Sequence, residues 1–367
     1  MQKARLMYTP EDYRKIGVKK DAIEPWEDGK REDYRAGAFE WWYFDAILDD
    51  GSKITACYST KLPLATFLPE RKPCLTYHIT DPDGKTHTQI FMKFKKSEVV
   101  IDEERCNVRF GLHSFVGDLQ DYHIKAEPVK GFGFDVCLSK QGASWRGETG
   151  YIGFGEQDEK YFTWTCAVPR GTVTGTLTVE GKTRKITGFG YHDHQWGNTM
   201  QYEWLNNWFW SRQSVGNYNV VLFDFICSEK YGFHRIPLMF IQDKQGNFLF
   251  ENTEGVKCEI LSEKVQNACK IPFPDITRYT FEKSGKKVVY TISVKQELEG
   301  RDAYATSPWL VRMIFKRWKT HPKYGRYVAV GEFTYTDGEQ KIRESGDLIY
   351  EFVYLGNEYK KYIEDKR

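Results

Sequence analysis

The run FEWWYFDA at residues 39–46 stands just ahead of an Asp50-Gly51 turn, and residues 53–60 after the turn are again rich in β-branched and aromatic side chains. Two such runs around a glycine turn are typical of a β-hairpin. Side chains alternate along a strand, so Phe39, Trp41, Tyr43 and Asp45 share one face, and Glu40, Trp42, Phe44 and Ala46 the other. Both faces carry aromatic rings, which predicts a strand covered on both sides by other parts of the protein.

The same signal recurs along the chain. Further turn dipeptides are Asp83-Gly84, Glu180-Gly181, Gln245-Gly246, Ser284-Gly285 and Asp337-Gly338. They predict hairpins that pair Thr172–Val179 with Arg184–Tyr191, and Pro237–Gln242 with Asn247–Glu251. We therefore expect an all-β protein of antiparallel sandwiches or barrels.

The length of 367 residues favours about two domains. The chain has no fixed-period repeat, so the boundary is placed where loop signals are densest, at Gly197–Asn207. This predicts an N-terminal β domain over residues 1–198 and a C-terminal β-barrel domain over residues 199–367.

Composition excludes several classes of protein. The 53 Lys and Arg residues balance 51 Asp and Glu residues, and the net charge of +2 gives no field for a polyanion, so no nucleic-acid partner is expected. No stretch approaches the roughly 20 apolar residues of a spanning helix, and the N-terminal residues lack the apolar run of a secretory signal. We expect a soluble, cytoplasmic protein. Its eight cysteines lack the spacing of a zinc site and are interpreted as reduced thiols, mostly in the core.

One segment, residues 307–319, has the period of a helix instead of a strand. Its apolar residues are Trp309, Leu310, Met313, Ile314 and Trp318, and its basic residues Arg312, Lys316, Arg317 and Lys319 lie largely between them. This pattern predicts one short amphipathic helix. Two interpretations stay open: the helix packs beside a barrel or plugs it, with one face in solvent, or it contacts an anionic membrane surface that holds a lipophilic substrate.

The run GFGYHDHQWG at residues 188–197 is the densest polar cluster. Alternation puts His192, His194 and Trp196 on one face, and Tyr191, Asp193 and Gln195 on the other. Two histidines on one strand could bind a metal, but no third ligand lies at close spacing, so we expect no metal site. The cluster is denser than packing requires, which predicts a functional role for at least one of its members.

Asp224 lies within the apolar run Tyr218–Ile226. An ionised carboxylate among Val, Leu, Phe and Ile is costly to desolvate, so it must be paired, hydrogen-bonded or protonated. One interpretation is a salt bridge to an Arg or Lys on the neighbouring strand. The other is a neutral carboxyl in an aromatic pocket, which is the group needed to protonate an alkene.

Residues 39–45 and 190–197 together resemble the AttH-like family, which includes the carotenoid 1,2-hydratases (hydroxyneurosporene synthases), fungal kievitone hydratase and lipocalin-like Diels–Alderases. The resemblance extends from about residue 35 to the C-terminus. It implies two lipocalin-like β domains with a ligand cavity, and apolar polyene or prenyl substrates. The His-x-Trp element of the carotenoid hydratases resembles His194 and Trp196. Their Tyr-x-Asp element falls at Leu222 and Asp224, so its Tyr is missing, and Tyr218 or Tyr202 could supply the hydroxyl.

The leading hypothesis is a cofactor-independent enzyme that protonates an alkene of an isoprenoid or polyene, giving hydration or cyclisation. Asp224 is expected to donate the proton, His194 to orient this acid or a water molecule, and Trp196 to flank the cation. The residues expected to bind the hydrophobic substrate are Glu40, Trp41, Trp42, Asp45, Tyr191, His192, Asp193, Tyr202 and Tyr218. A pericyclase that works by shape and a non-catalytic ligand-binding protein are the alternatives.

Overall fold

The computed structural model describes residues 2–33, 35–62 and 66–356. The chain divides into two compact units. The N-terminal unit holds residues 6–153 and 158–200, and the C-terminal unit holds residues 2–5, 154–157 and 201–356. The two short segments at 2–5 and 154–157 therefore belong to the C-terminal unit, although they precede the expected boundary at residue 198.

The N-terminal unit is built on one curled antiparallel sheet. The strands of this sheet are β1 (Ala4–Leu6), β2 (Phe39–Leu48), β3 (Lys53–Ser59), β4 (Cys74–Thr80), β5 (Thr86–Phe91), β6 (Val99–Ile101), β7 (Asn107–Phe110), β8 (His113–Gly117), β9 (Asp121–Val129), β10 (Phe132–Lys140), β11 (Tyr151–Phe154), β12 (Lys160–Val179) and β13 (Lys182–Gly197). Residues 4 and 5 of β1 and residue 154 of β11 are those already assigned to the C-terminal unit. They pair in the order β5-β4-β3-β2-β13-β12-β10-β9-β8-β7-β6, with β11 joined to β12 and β1 to β11. Helix α1 (Pro10–Ile16) and the 3-10 turns Pro25–Asp28 and Lys96–Glu98 lie between strands.

The run at residues 39–46 forms the middle of this sheet. Strand β2 pairs with β3 from Trp41 opposite Ser59 to Ile47 opposite Lys53, which confirms the predicted hairpin. Its even-numbered side chains, Trp42 among them, point into the apolar core of the unit, and its odd-numbered side chains are buried or half-buried on the other face. Because β2 also pairs with β13, the two unusual runs of the sequence lie side by side.

The hairpin of β12 and β13 has the register that its turn requires. Val179 lies opposite Lys182, so the turn has two central residues, Glu180 with φ 51° and Gly181 with φ 78°. Two positive φ angles are typical of a type I′ turn, whose twist matches that of the flanking strands. The predicted pairing of Thr172–Val179 with Arg184–Tyr191 is confirmed.

The C-terminal unit is built on a second curled antiparallel sheet. Its strands are β14 (Leu205–Val215), β15 (Tyr218–Cys227), β16 (Arg235–Asp243), β17 (Phe248–Asn252), β18 (Lys257–Val265), β19 (Pro272–Lys283), β20 (Lys286–Asp302), β21 (Lys323–Asp337) and β22 (Gln340–Tyr354). They pair in the order β17-β16-β15-β14-β22-β21-β20-β19-β18, and β16 with β17 forms the predicted hairpin. The helices are α2 (Gln201–Trp204), α3 (Ala303–Thr306) and α4 (Trp309–Arg317), with a 3-10 turn at Glu229–Tyr231. The all-β fold class is thus confirmed.

Asp224 is buried in the C-terminal unit and forms an ion pair. The Nε atom of Arg235, on the neighbouring strand β16, donates to its Oδ1 at 3.0 Å and to its Oδ2 at 3.2 Å. A guanidinium this close favours the charged carboxylate over the neutral acid. This corrects the expectation that Asp224 is held protonated, and the contact matches the salt bridge that the sequence analysis left open.

The two tyrosines proposed as partners of Asp224 lie elsewhere in the C-terminal unit. Tyr202 stacks on Trp318 with ring centroids 5.6 Å apart, and so packs against the end of α4. Tyr218 contacts Phe333 edge-on and stands six residues before Asp224 on β15, a separation of about 20 Å along a strand. Neither contact supports a hydroxyl that works beside Asp224.

Helix α4 forms within the predicted segment, with one buried side and one exposed side. Phe315 is fully buried, whereas Trp309, Leu310 and Met313 are exposed. The helix therefore packs through Phe315, with Val311 and Ile314 half-buried, and exposes its other side. Within the part of the chain that the structure describes, no helix is long and apolar enough to cross a membrane.

All eight cysteines are free thiols, as expected. Six of them are buried, Cys57 is half-buried and Cys137 is exposed. Most cysteines therefore act as small apolar core residues.

We predict that Asp224→Ala lowers the free energy of unfolding by about 3–5 kcal/mol, because it leaves the Arg235 guanidinium buried without its counter-ion. The double variant Asp224→Leu/Arg235→Met should recover most of this loss. Urea denaturation measures both effects.

The matched control is the exposed pair of Lys295 and Asp347, which is 2.8 Å apart. Asp347→Ala should cost less than about 1 kcal/mol, since water screens the charges. A similar loss in the two single variants would contradict the assignment of Asp224 to a buried structural ion pair.

Candidate active site

The interior of the N-terminal unit contains a cluster of carboxylates and imidazoles. His192 and His194 come from β13, Glu40 comes from β2, and Asp28 comes from the turn Pro25–Asp28. All four side chains are 1% exposed or less. Charged groups at such depth must be paired and hydrogen-bonded, so the geometry of the cluster determines where its protons lie.

The pairing of β2 with β13 brings three of these residues together. His194 lies opposite Trp42, and Trp196 lies opposite Glu40, so these side chains share the inner face of the sheet. The turn that carries Asp28 is held at this face by a hydrogen bond of 2.9 Å from Trp42 Nε1 to the Asp28 carbonyl oxygen. The adjoining backbone N–H of Arg31 donates to Glu40 Oε1 at 2.6 Å.

Both ring nitrogens of His192 face acceptors. Nδ1 lies 2.8 Å from the carbonyl oxygen of Tyr43, and Nε2 lies 3.1 Å from Asp28 Oδ2. A neutral imidazole has only one N–H, so both contacts are satisfied only if the ring is an imidazolium or the carboxyl carries the second proton. The pair of His192 and Asp28 thus holds one proton beyond the neutral imidazole and the carboxylate.

His194 has the same arrangement. Its Nδ1 lies 3.2 Å from the carbonyl oxygen of Glu27, and its Nε2 lies 3.0 Å from Glu40 Oε1. Its ring stacks on Trp42 with centroids 4.6 Å apart, and the centroid of Trp196 is also 4.6 Å away. His194 is therefore enclosed by two indole rings on the inner face of the sheet.

Burial alone lowers the pKa of His192, because it disfavours the charged ring. The Asp28 carboxylate, its hydrogen bond to the ring and the hydrogen bond to the Tyr43 carbonyl outweigh this effect and raise the pKa above the ordinary value of 6.5. His192 therefore keeps its proton to a higher pH than a solvated histidine.

Asp28 connects the histidines to Tyr122. The Tyr122 hydroxyl donates to Asp28 Oδ2 at 2.5 Å, while Asp28 Oδ1 has no hydrogen-bond partner among the described residues. Burial, and then the charge of Asp28, raise the pKa of Tyr122 well above its usual range. Tyr122 also lines a surface groove with a volume of about 360 Å³. One residue therefore belongs both to the groove and to the buried cluster.

Asp28, Cys106 and His192 could in principle hold a metal ion, since one ligand atom of each lies within 4.8 Å of the other two. Burial raises the pKa of the Cys106 thiol well above its usual range, and Asp28 Oδ2 already accepts hydrogen bonds from His192 and Tyr122. A metal ion at this position would therefore have to displace the thiol proton and compete with these hydrogen bonds.

A second polar group lies on the opposite face of β13. Asp193 accepts hydrogen bonds from Trp164 at 3.0 Å, Tyr191 at 2.8 Å and Gln195 at 3.2 Å. Burial raises its pKa to about 6, although the three hydrogen bonds oppose the shift. This group is separated from the histidines by the backbone of the strand, because neighbouring side chains point to opposite faces.

The structure thus divides the residues singled out in the sequence. The inner cluster contains Glu40, Trp42, His192, His194 and Trp196. The other face of the same sheet carries Trp41, Asp45, Tyr191 and Asp193. Asp224, Tyr202 and Tyr218 belong to the C-terminal unit.

Sequence reasoning missed Asp28, Glu27 and Tyr122. Glu27 forms a buried ion pair with Arg146, whose Nη1 lies 3.0 Å from Glu27 Oε2. Asp28 and Tyr122 are 94 residues apart, so no periodic pattern connects them. The one local signal was an acidic pair next to a tryptophan and a glycine, in PWEDG at residues 25–29.

We predict that Asp28→Asn lowers the pKa of His192, because it removes the charge that favours the imidazolium. Histidine side-chain NMR on ¹⁵N-labelled protein measures the midpoint. The raised pKa of His192 stabilises the folded protein fully below pH 6.5, and this stabilisation is lost as the pH rises through the pKa of the folded state. The free energy of unfolding of the variant should therefore fall most at low pH. The exposed Asp118→Asn is the control, and an equal shift in both variants would contradict the assignment.

Two sequence relatives match only part of this chain. The quinolone epoxide rearrangement protein penF of Penicillium thymicola is 34% identical over 58 residues, which is 16% of each chain. The quinolone epoxide rearrangement protein asqO of Emericella nidulans is 26% identical over 198 residues, which is 52% of this chain and 54% of that protein. The matches therefore span no more than about half the length of these relatives.

Solved structures match nearly the whole chain. CghA with Sch210972 has a TM-score of 0.63 at 12% identity and covers 88% of this chain and 90% of its own. A putative AttH of Nitrosomonas europaea has a TM-score of 0.63 at 17% identity, with 92% and 98% covered. Kievitone hydratase of Nectria haematococca has a TM-score of 0.56 at 15% identity, with 91% and 93% covered. These likenesses confirm the AttH-like, lipocalin-like fold.

A family model extends the comparison to sequence. It matches residues 70–355, which is well over half of the chain and includes Tyr122, His192 and His194. The model is that of the Svf1 family, and this chain belongs to it.

Proposed function

We propose that the protein is a cofactor-independent enzyme that transfers a proton to an apolar, unsaturated small molecule, and that its acid is the buried carboxylate–imidazole cluster of the N-terminal unit. One observation carries the proposal: each of His192 and His194 faces a carboxylate with one nitrogen and a carbonyl oxygen with the other. The pair of His192 and Asp28 therefore holds a proton that it can release.

The stored proton suits the chemistry. An acid works best when its pKa lies near the operating pH, and the raised pKa of His192 keeps a donor available around neutrality. Protonation of an alkene produces a carbocation, and protonation of an epoxide oxygen opens the ring. When water captures the cation, the added water passes a proton back to the emptied imidazole–carboxylate pair and the product is an alcohol. When an internal alkene captures the cation, a ring forms, and the new cation then loses a proton to the same pair or is captured by water.

The surroundings of the cluster favour a cationic intermediate. The rings of Trp42 and Trp196 lie 4.6 Å from His194, and Phe115 and Tyr122 lie 4.5 Å and 4.8 Å from His192. Aromatic faces attract a cation by about 0.5–2 kcal/mol each and do not react with it. Isoprenoid or polyene alkenes, whose cations are tertiary or delocalised, are the substrate class that we propose.

The cluster is buried, so in this proposal the substrate reaches it when the turn Pro25–Asp28 moves. This turn carries Asp28 and is held by the Trp42 hydrogen bond and by the ion pair of Glu27 with Arg146. Opening it would uncover the histidines, and closing it would exclude bulk water from the cation.

The chemistry of the relatives supports this reaction type. One structural neighbour is a kievitone hydratase, and the two sequence relatives are quinolone epoxide rearrangement proteins. Hydration of an alkene and rearrangement of an epoxide both begin with transfer of a proton to the substrate.

The test is product analysis with labelled solvent. The small molecule extracted from the purified protein, together with prenylated phenols and linear polyenes, is incubated in ¹⁸O-water or D₂O and analysed by mass spectrometry. We expect ¹⁸O in a hydration product, or deuterium on carbon in an isomeric product. His192→Gln should lower the rate about 10²- to 10⁴-fold, the usual contribution of a general acid.

His78→Gln is the matched control, because His78 bonds Thr88 on a strand pair away from the cluster and should leave the rate unchanged. An unlabelled isomer whose formation is insensitive to His192→Gln would identify shape-driven pericyclic catalysis instead. Ligand that binds and emerges unchanged would identify a binding protein. Either result would overturn the proposal.

We also expect the reaction rate to fall with rising pH, whereas a carboxylate acting as a base would make the rate rise. The rate should fall as pH rises through the raised pKa of His192, with a midpoint above 6.5. Asp28→Asn should move this midpoint to lower pH, as measured from the pH profile of kcat/KM. A rate that instead rises over the same range would show that the deprotonated ring is the active form.

A further inference from the structure

Helix α4 of the C-terminal unit presents large apolar side chains to solvent. Trp309 is 62% exposed, Leu310 is 56% exposed and Met313 is 57% exposed. Residues at i, i+1 and i+4 lie on one side of a helix, so these three side chains form a continuous apolar surface. Such surfaces are costly to leave in water and mark sites of interaction.

The same helix is held to its unit from the opposite side. Phe315 is fully buried and contacts Tyr202 with ring centroids 5.8 Å apart, and Trp318 stacks on Tyr202. Tyr304 of α3 also packs against Phe315. The exposed face therefore belongs to a helix that is already anchored.

Basic residues surround the apolar surface. Arg312, Lys316 and Arg317 are exposed, and residues 307–319 contain no acidic residue. At 100° per residue, these three side chains flank or alternate with Trp309, Met313 and Leu310 on the exposed side. The entire chain has a net charge of only +2, so this is a local concentration of positive charge.

We propose that the exposed face of α4 docks on the surface of an anionic phospholipid bilayer. Tryptophan is favoured at the boundary between headgroups and acyl chains, and Leu310 and Met313 are suited to the same depth. Arg312, Lys316 and Arg317 would contact the anionic headgroups, while their aliphatic stems lie along the apolar surface. The proposal goes beyond the catalytic function and does not depend on it.

The test uses the full chain and vesicles in a flotation assay. We expect binding to vesicles of phosphatidylcholine and phosphatidylserine in a 3:1 ratio, at least tenfold weaker binding to phosphatidylcholine alone, and weaker binding in 0.5 M salt. Two triple variants, Trp309→Ser/Leu310→Ser/Met313→Ser and Arg312→Gln/Lys316→Gln/Arg317→Gln, should each reduce binding at least tenfold. Both change exposed side chains, and circular dichroism checks that the fold is kept.

The control triple variant Lys182→Gln/Lys185→Gln/Lys283→Gln removes the same charge at exposed positions elsewhere and should bind like the unmodified chain. Equal binding to both vesicle types, or no effect of either α4 variant, would overturn the proposal. Size-exclusion chromatography without lipid gives a further test. If the unmodified chain is a dimer and the apolar variant is a monomer, the exposed face of α4 joins two copies of the chain, and the proposal is overturned.

Discussion

The N-terminal unit depends on the balance of charge in an interior that water does not reach. Asp28 and Glu40 are carboxylates at a depth where an uncompensated charge would cost several kcal/mol. His192 and His194 each place a ring nitrogen against one of these carboxylates, and the raised pKa of His192 keeps a proton in its pair with Asp28. The fold of this unit and the storage of protons in it are therefore the same physical requirement.

The sheet provides the rigid frame for this balance. Strands β2 and β13 are hydrogen-bonded neighbours, and their alternation sends Glu40, Trp42, His192 and His194 to one face. The turn Pro25–Asp28 adds the remaining carboxylate from outside the sheet. In the C-terminal unit the buried carboxylate of Asp224 is neutralised by the guanidinium of Arg235 instead of an imidazole. A guanidinium is always charged, so this ion pair has no proton that it can release.

Most of the strand pairing and part of the candidate site could be predicted from the sequence. Turn dipeptides and alternating runs predicted the hairpins, because a strand has a strict period of two and a glycine turn fixes its register. The same alternation placed His192 and His194 on one face. Asp28 was missed, since a short turn has no period and its partner Tyr122 is remote in sequence. Asp224 was assigned a neutral state because the sequence does not reveal which residue of the next strand lies beside it.

The separation of these residues along the chain has a consequence for synthesis. Asp28 and His192 are 164 residues apart, and Glu40 and His194 are 154 apart. During translation the carboxylates leave the ribosome long before the imidazoles, so the central pairing of β2 with β13 must wait until nearly all of the N-terminal unit has been made. Long-range contacts of this kind slow folding and leave aromatic strands such as β2 exposed meanwhile. The two aromatic runs at the centre of this sheet therefore meet late, and β2 stays without its partner β13 until translation has passed residue 197.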